Sequence, residues 1–177
     1  MGNAHGNLLR VRELIERNPA LVNARAPWNE TPIEAAAQMG NVPIIQYLIE
    51  KGAHVDMFTA CVLGDVDRLR RELAADPSRA AARGVHDLPT LYFAAIGGSI
   101  EIAGQLVASG AGVNDRAEAA APIHGAVMGG HPEMIRWLLE RGADPDLPDY
   151  KGRGGKQLAQ EMERVDLAEL FDQPARS

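Results

Sequence analysis

A chain of 177 residues suits one compact domain or one short repeat array, and its 46% apolar and 24% charged residues are the balance of a chain that folds. A net charge of -6 with no basic run argues against a nucleic-acid partner, and the single cysteine, Cys61, excludes an internal disulfide and a cysteine-rich zinc site. No apolar run approaches the ~18 residues of a membrane span, and the first six residues lack both a signal-peptide core and a myristoylation pattern, so a cytoplasmic location is expected.

Aromatics are only 5% of the chain, and Ala and Leu carry the apolar load, which favours closely packed helices. Arginine far outnumbers lysine, a bias compatible with a GC-rich bacterial genome. The chain repeats itself: a shift of 58 residues lays Gly6-Asn7 on Gly64-Asp65, Asn18-Pro19 on Asp76-Pro77, Arg25 on Arg83, Ala36-Ala37 on Ala94-Ala95 and Gly52-Ala53 on Gly110-Ala111. Gly-polar pairs beginning at Gly6, Gly40, Gly64, Gly98 and Gly130 mark smaller units, spaced 34, 24, 34 and 32 residues apart.

The predicted elements follow in chain order. The first unit, residues 1–26, lacks most of an inner helix, which makes it a half-repeat cap or a unit cut short at its start. Residues 32–39 form a short Ala-rich helix that Gly40 stops, and Pro43 opens an amphipathic helix with Ile44, Ile45, Leu48 and Ile49 on one stripe, closed by Gly52. From Asp56 the chain passes straight into the next helix, Met57–Leu63, with no room for a loop. The following helix carries Asp65, Asp67, Arg68, Arg70, Arg71 and Glu72 as a solvated face. Two more pairs follow, the last with Ala-rich residues 122–128, Pro132 and the stripe Ile135, Leu138, Leu139, beside which Trp137 is expected in the core. Glu161, Glu163, Arg164 and Glu169 give the final unit the polar face of a C-terminal cap.

Two motifs give this pattern a family resemblance. Thr31-Pro32-Ile33-Glu34-Ala35-Ala36 and Ala121-Pro122-Ile123-His124-Gly125-Ala126 resemble the TPLHxA motif of ankyrin repeats, and Gly52-Ala53-His54-Val55-Asp56 and Gly142-Ala143-Asp144-Pro145-Asp146 resemble the turn after the second ankyrin helix. The resemblance spans about residues 4 to 172. It implies an all-α solenoid of stacked helix–turn–helix units with short β-turn fingers, one finger being missing before Met57, and units near 1–26, 27–55, 56–84, 85–116, 117–148 and 149–174. The reversed order Pro89-Thr90 puts the usual threonine hydrogen bonds there in doubt.

No catalytic motif, metal set or cofactor signature emerges. Gly152-Arg153-Gly154-Gly155-Lys156-Gln157 lacks the spacing of a phosphate loop and the Ser or Thr that meets magnesium, so it reads as a finger. His124 and His131 are separated by the helix stop Gly129-Gly130, and the resemblance implies local hydrogen bonding for His124 and a turn cap for His131. Cys61 replaces an inner-helix Ala and is expected to be a packed small residue.

A stack of such units leaves a hollow side, where solenoids bind. The resemblance assigns to it the finger residues Trp28, Glu30, His86, Leu88 and Glu118 and the inner-helix ends Gln38, Met39, Val62, Leu63, Ile96 and Met128. The leading expectation is a module that binds a protein or peptide there, as scaffold, adaptor or inhibitor. One alternative is an enzyme or small-molecule binder using His86 or His124 with Glu118. Another is self-association through an edge bared at Met57–Leu63, the chain otherwise being a monomer.

Overall fold

A computed structural model describes residues 6–172. Eleven α-helices occur among them: α1 (Leu8–Arg17), α2 (Pro32–Gln38), α3 (Val42–Glu50), α4 (Met57–Leu63), α5 (Val66–Ala75), α6 (Thr90–Gly97), α7 (Ile100–Ala108), α8 (Pro122–Gly129), α9 (Pro132–Glu140), α10 (Gly155–Glu161) and α11 (Val165–Ala168). Among the described residues there is no strand, only an isolated bridge between Arg83 and Pro89. The architecture is an all-α stack of helix pairs.

Local chemistry sets the ends of these helices. Asn7, Asn41, Asp56, Asp65 and Ser99 each accept a backbone N–H of the following helix, and Thr31 and Glu34 form a reciprocal capping box on α2. Between the two helices of a pair, Gly40, Gly64, Gly98 and Gly130 take positive φ. Glu163 takes the same left-handed conformation in the last pair, at φ 58, where the others use glycine.

The inner helices α2, α4, α6, α8 and α10 pack in sequence, and α1 against α3 and α5 against α7 form outer contacts. No pair could bury its apolar face alone, and one continuous core runs from Val11 to Leu170. Trp137 lies in it, with the Arg141 guanidinium 4.0 Å from the ring centroid. Cys61 is buried and its thiol is pushed up to about 12 by burial, as a packed residue rather than a nucleophile.

Two expectations need correction. Helix α4 is no bared edge: Met57, Thr59, Ala60, Cys61 and Val62 are buried between α2 and α6. His131 does not cap its own turn. Its Nε2 reaches the Ile96 carbonyl of the preceding pair at 3.1 Å and so ties two units together. The doubt over Thr90 is met in the structure, where it does not cap α6. Its hydroxyl donates backwards to the Ala82 carbonyl at 2.9 Å.

Candidate binding face

Four fingers project from the stack, each closed by its own backbone bonds: Ala26 N–H to Glu30 O, Gly84 N–H to Leu88 O, Ala117 N–H to Ala120 O, and Asp149 N–H to Arg153 O. The last is the segment that superficially suggested a phosphate loop, held by Arg153 on Asp149 at 2.6 Å. These bonds hold Asp149 below the ordinary carboxylate range, although burial pushes the other way.

An arginine ladder joins neighbouring fingers. Arg83 Nη1 donates to the Arg116 carbonyl at 3.0 Å, and Arg116 Nη1 donates to the Pro148 carbonyl at 3.2 Å. Arg25 is the equivalent of Arg83 one block earlier, but Asp56 leads directly into α4, so no next finger awaits it. It turns back onto the Asn29 carbonyl of its own finger at 2.8 Å. The absent finger lets the first two present ones approach: His86 Nε2 stands 3.6 Å from Glu30 Oε1. It also lets α2 touch α6 past α4, where the Tyr92 hydroxyl donates to the Gln38 carbonyl at 2.9 Å.

Two hollows result. The first, about 210 Å³, is lined by Met39, Met128 and Met162 from three different pairs, with Tyr150, Leu158, His124 and Arg153. Met39 (41% exposed), Met162 (40%) and Tyr150 (68%) present apolar surface to solvent. The second, about 300 Å³, lies between the first two fingers and is lined by Trp28, Asn29, Glu30, Phe58, Gly84 and His86, with Arg25 and Arg83 beside them.

The residues expected at the binding face therefore divide. Trp28, Glu30 and His86 meet at the finger notch, while Met39 and Met128 meet at the methionine hollow. Gln38 and Leu63 are half-buried and Glu118 is exposed on the third finger. Val62, Leu88 and Ile96 are buried in the core and present no side chain to a partner. For Val62 and Ile96 the reason is the close helix spacing: at Gly97 an added Cβ would lie 2.5 Å from the Val62 carbonyl. His124 is also buried; its Nδ1 accepts the Ala121 N–H and its Nε2 donates to the Arg153 carbonyl, both at 3.0 Å. Tyr150, Met162 and Phe58 were missed. The sequence did carry a signal for Met162, which ends its inner helix as Met39 and Met128 end or adjoin theirs.

Repeated helix pairs joined by β-turn fingers define the chain as a helical solenoid of short repeats. A family profile described as ankyrin repeats (3 copies) matches residues 57–149, and a profile for a single ankyrin repeat matches residues 28–60. The chain belongs to the ankyrin-repeat family. It is similar to a putative ankyrin repeat protein of Rickettsia felis, 30% identical over 148 residues, covering 78% of this chain and 55% of that protein. It also resembles an ankyrin repeat and KH domain-containing protein of Caenorhabditis briggsae, 29% identical over 153 residues, 80% of this chain but 6% of that protein. Human protein phosphatase 1 regulatory subunit 27 is 30% identical over 109 residues, 61% of this chain and 70% of that protein. The chain thus spans about half of the first relative and a small part of the second. No described helix is long and apolar enough to cross a membrane, and no described group of three or more His, Cys, Asp or Glu side chains could hold a metal ion.

Proposed function

We propose that this chain holds a partner protein or peptide on the concave side of its stack, as a scaffold, adaptor or inhibitor. Ankyrin repeats are a general protein-interaction module, and a relative named as a regulatory subunit fits a part that acts by holding another protein. The observation that carries the reading is the convergence of Met39, Met128 and Met162 on one open hollow beside Tyr150. Methionine adapts its shape to a partner, and an exposed aromatic beside it supplies rigid contact area. A stack of five to six units about 10 Å apart gives a face about 50–60 Å long. That length can offer the ~800 Å² of a standard interface.

An enzymatic reading has a weaker basis. His124 has both ring nitrogens engaged inside the core, and Glu118 sits on a different finger from His86. The nearest approach of a histidine to a carboxylate at the face, His86 to Glu30 at 3.6 Å, is longer than a hydrogen bond.

Affinity purification from the native host, with the double variant Met39→Ala/Met128→Ala alongside, tests the proposal. The variant keeps its helical circular dichroism and binds the co-purified partner more weakly by about 2 kcal/mol or more, some thirtyfold. Undiminished affinity for that partner rejects this face.

A further inference from the structure

Sulfur in this chain is gathered at one place. Of its six methionines, five lie among the described residues, and three of those, Met39, Met128 and Met162, line the same hollow. The placement follows from the repeat. Met39 caps the C-terminal end of α2, Met162 caps that of α10, and Met128 lies in the last turn of α8, so equivalent helix ends bring them together. Met39 and Met162 are 41% and 40% exposed. The other two described methionines, Met57 at the start of α4 and Met134 in α9, are 2% and 1% exposed and packed in the core.

We propose that Met39 and Met162 form a modification site, where a hydroperoxide makes methionine sulfoxide and so closes the hollow to an apolar partner. The closing of the hollow rests on the interaction-module reading; the selective oxidation does not. With hydrogen peroxide the step balances as it stands. The sulfur lone pair attacks one peroxide oxygen and the O–O bond breaks. That oxygen becomes the sulfoxide oxygen and passes its proton to the other, which leaves as water. Sulfur is oxidised by two electrons and the peroxide is reduced by two.

Three observations carry the inference. The first is access: the two exposed sulfur side chains of the described residues that meet at one hollow are the two that an oxidant in water reaches. Met128 is half-buried, and its sulfur accepts the Tyr92 hydroxyl at 3.6 Å, so it reacts after them. The second is the lack of a competing thiol. Cys61 is the single cysteine, and burial holds its thiol up at about 12, so it offers no thiolate to take the oxidant first.

The third is what surrounds the product. The polar side chains that line the hollow are already turned to other partners. Arg153 gives Nε and Nη2 to Asp149 and Nη1 to Glu161, and His124 Nε2 donates to the Arg153 carbonyl. Beside Met128, the Tyr92 hydroxyl donates to the Gln38 carbonyl at 2.9 Å. A sulfoxide oxygen at Met39 or Met162 therefore keeps water as its partner. An apolar side chain entering the hollow has to strip that water away, a cost the thioether does not impose. Oxidation thus turns an adaptable apolar surface into a wet, polar one without touching the core, where Met57 and Met134 stay reduced.

The test exposes the whole protein to dilute hydrogen peroxide and maps sulfoxide by mass spectrometry of its peptides. Met39 and Met162 oxidise about tenfold faster than Met57 and Met134, with Met128 between them. The second arm follows binding of N-acetyl-phenylalanine amide, a neutral apolar probe, through the nuclear magnetic resonance signal of the Met128 methyl group, at a peroxide dose that spares Met128. The reduced protein binds the probe saturably below ~10 mM. The oxidised protein binds it about tenfold more weakly, with its helical circular dichroism unchanged. Met39→Leu/Met162→Leu keeps the apolar surface and cannot form either sulfoxide, so the same peroxide treatment leaves its probe binding unaltered. The inference is overturned by exposed methionines that oxidise no faster than the buried pair, by equal probe binding before and after oxidation, by loss of the helical signal, or by a leucine variant as sensitive as the original chain. Equal binding before and after oxidation leaves the methionine face standing, whereas a reduced protein that never binds the probe removes the face and this inference together.

Discussion

His124 stands in the repeat stack without solvent access, its Nδ1 accepting the Ala121 N–H and its Nε2 donating to the Arg153 carbonyl of the next finger. The accepting Nδ1 fixes the tautomer, and protonation would destroy that bond as well as bury a charge. Burial holds the imidazole below the ordinary histidine range, against the opposing pull of the Arg153 carbonyl and the Asp149 carboxylate. The unfolded chain therefore takes up a proton at a pH where the folded chain does not. This site contributes its full stability above the ordinary histidine pKa of about 6.5 and loses it as the pH falls from there through the lower folded value. The loss has a limiting slope of about 1.4 kcal/mol per pH unit. His124→Gln is expected to cost about 1–3 kcal/mol at pH 7.5, through a buried group left short of a partner. It also lacks the titrating component, so urea unfolding of both proteins from pH 7.5 to 5 should show the gap between them narrowing. Parallel pH profiles would show that His124 does not titrate with folding.

At the scale of helices, glycine decides how closely neighbours pack. Gly97 ends α6 against α4, where a Cβ would meet the Val62 carbonyl at 2.5 Å, a backbone atom that cannot swing aside. Gly104 sits inside α7 with nothing within 4 Å of its would-be Cβ. The same substitution should thus act in opposite directions. Gly97→Ala is expected to destabilise by about 1–3 kcal/mol through overpacking, and Gly104→Ala to stabilise by about 0.5–1 kcal/mol through helix propensity. Chemical denaturation of the two variants checks both signs, and equal effects would mean that the α4–α6 contact is not tight. Most of the element pattern was legible in the sequence, because its signals are local: caps such as Asp56 and Ser99, the stripe Ile44–Ile45–Leu48, and the glycine stops. The finger missing before Met57 could be read from the short spacing alone. Which side of an inner-helix end faces its neighbour could not, since that depends on packing between units. Val62 and Ile96 were expected at the open face for that reason and lie in the core.

For the molecule as a whole, the missing finger changes what a repeat stack normally permits. Contacts in such stacks run between nearest neighbours. Here the gap brings α2 against α6 across α4, and it sets Glu30 opposite His86. Neither juxtaposition was visible in the sequence, where the members of each pair are more than fifty residues apart and belong to motifs that look complete on their own. Trp28 and Met39 could be picked out as exposed apolar residues, but their division between two hollows depends on which units meet in space. The Tyr92 hydroxyl is the direct bond across the gap, donating to the Gln38 carbonyl next to Met39. Tyr92→Phe keeps the ring and removes this bond, at an expected cost of about 1 kcal/mol. If the bond ties the first full helix pair to the rest, the loss should be local. Amide exchange in α2 should quicken about fivefold, while α10 and α11, which lie beyond the hydroxyl's two partners, Gln38 and Met128, should be little affected. An equal change along the whole chain would show instead that the units unfold as one, and no change in α2 would show that helix packing alone holds the first pair in place.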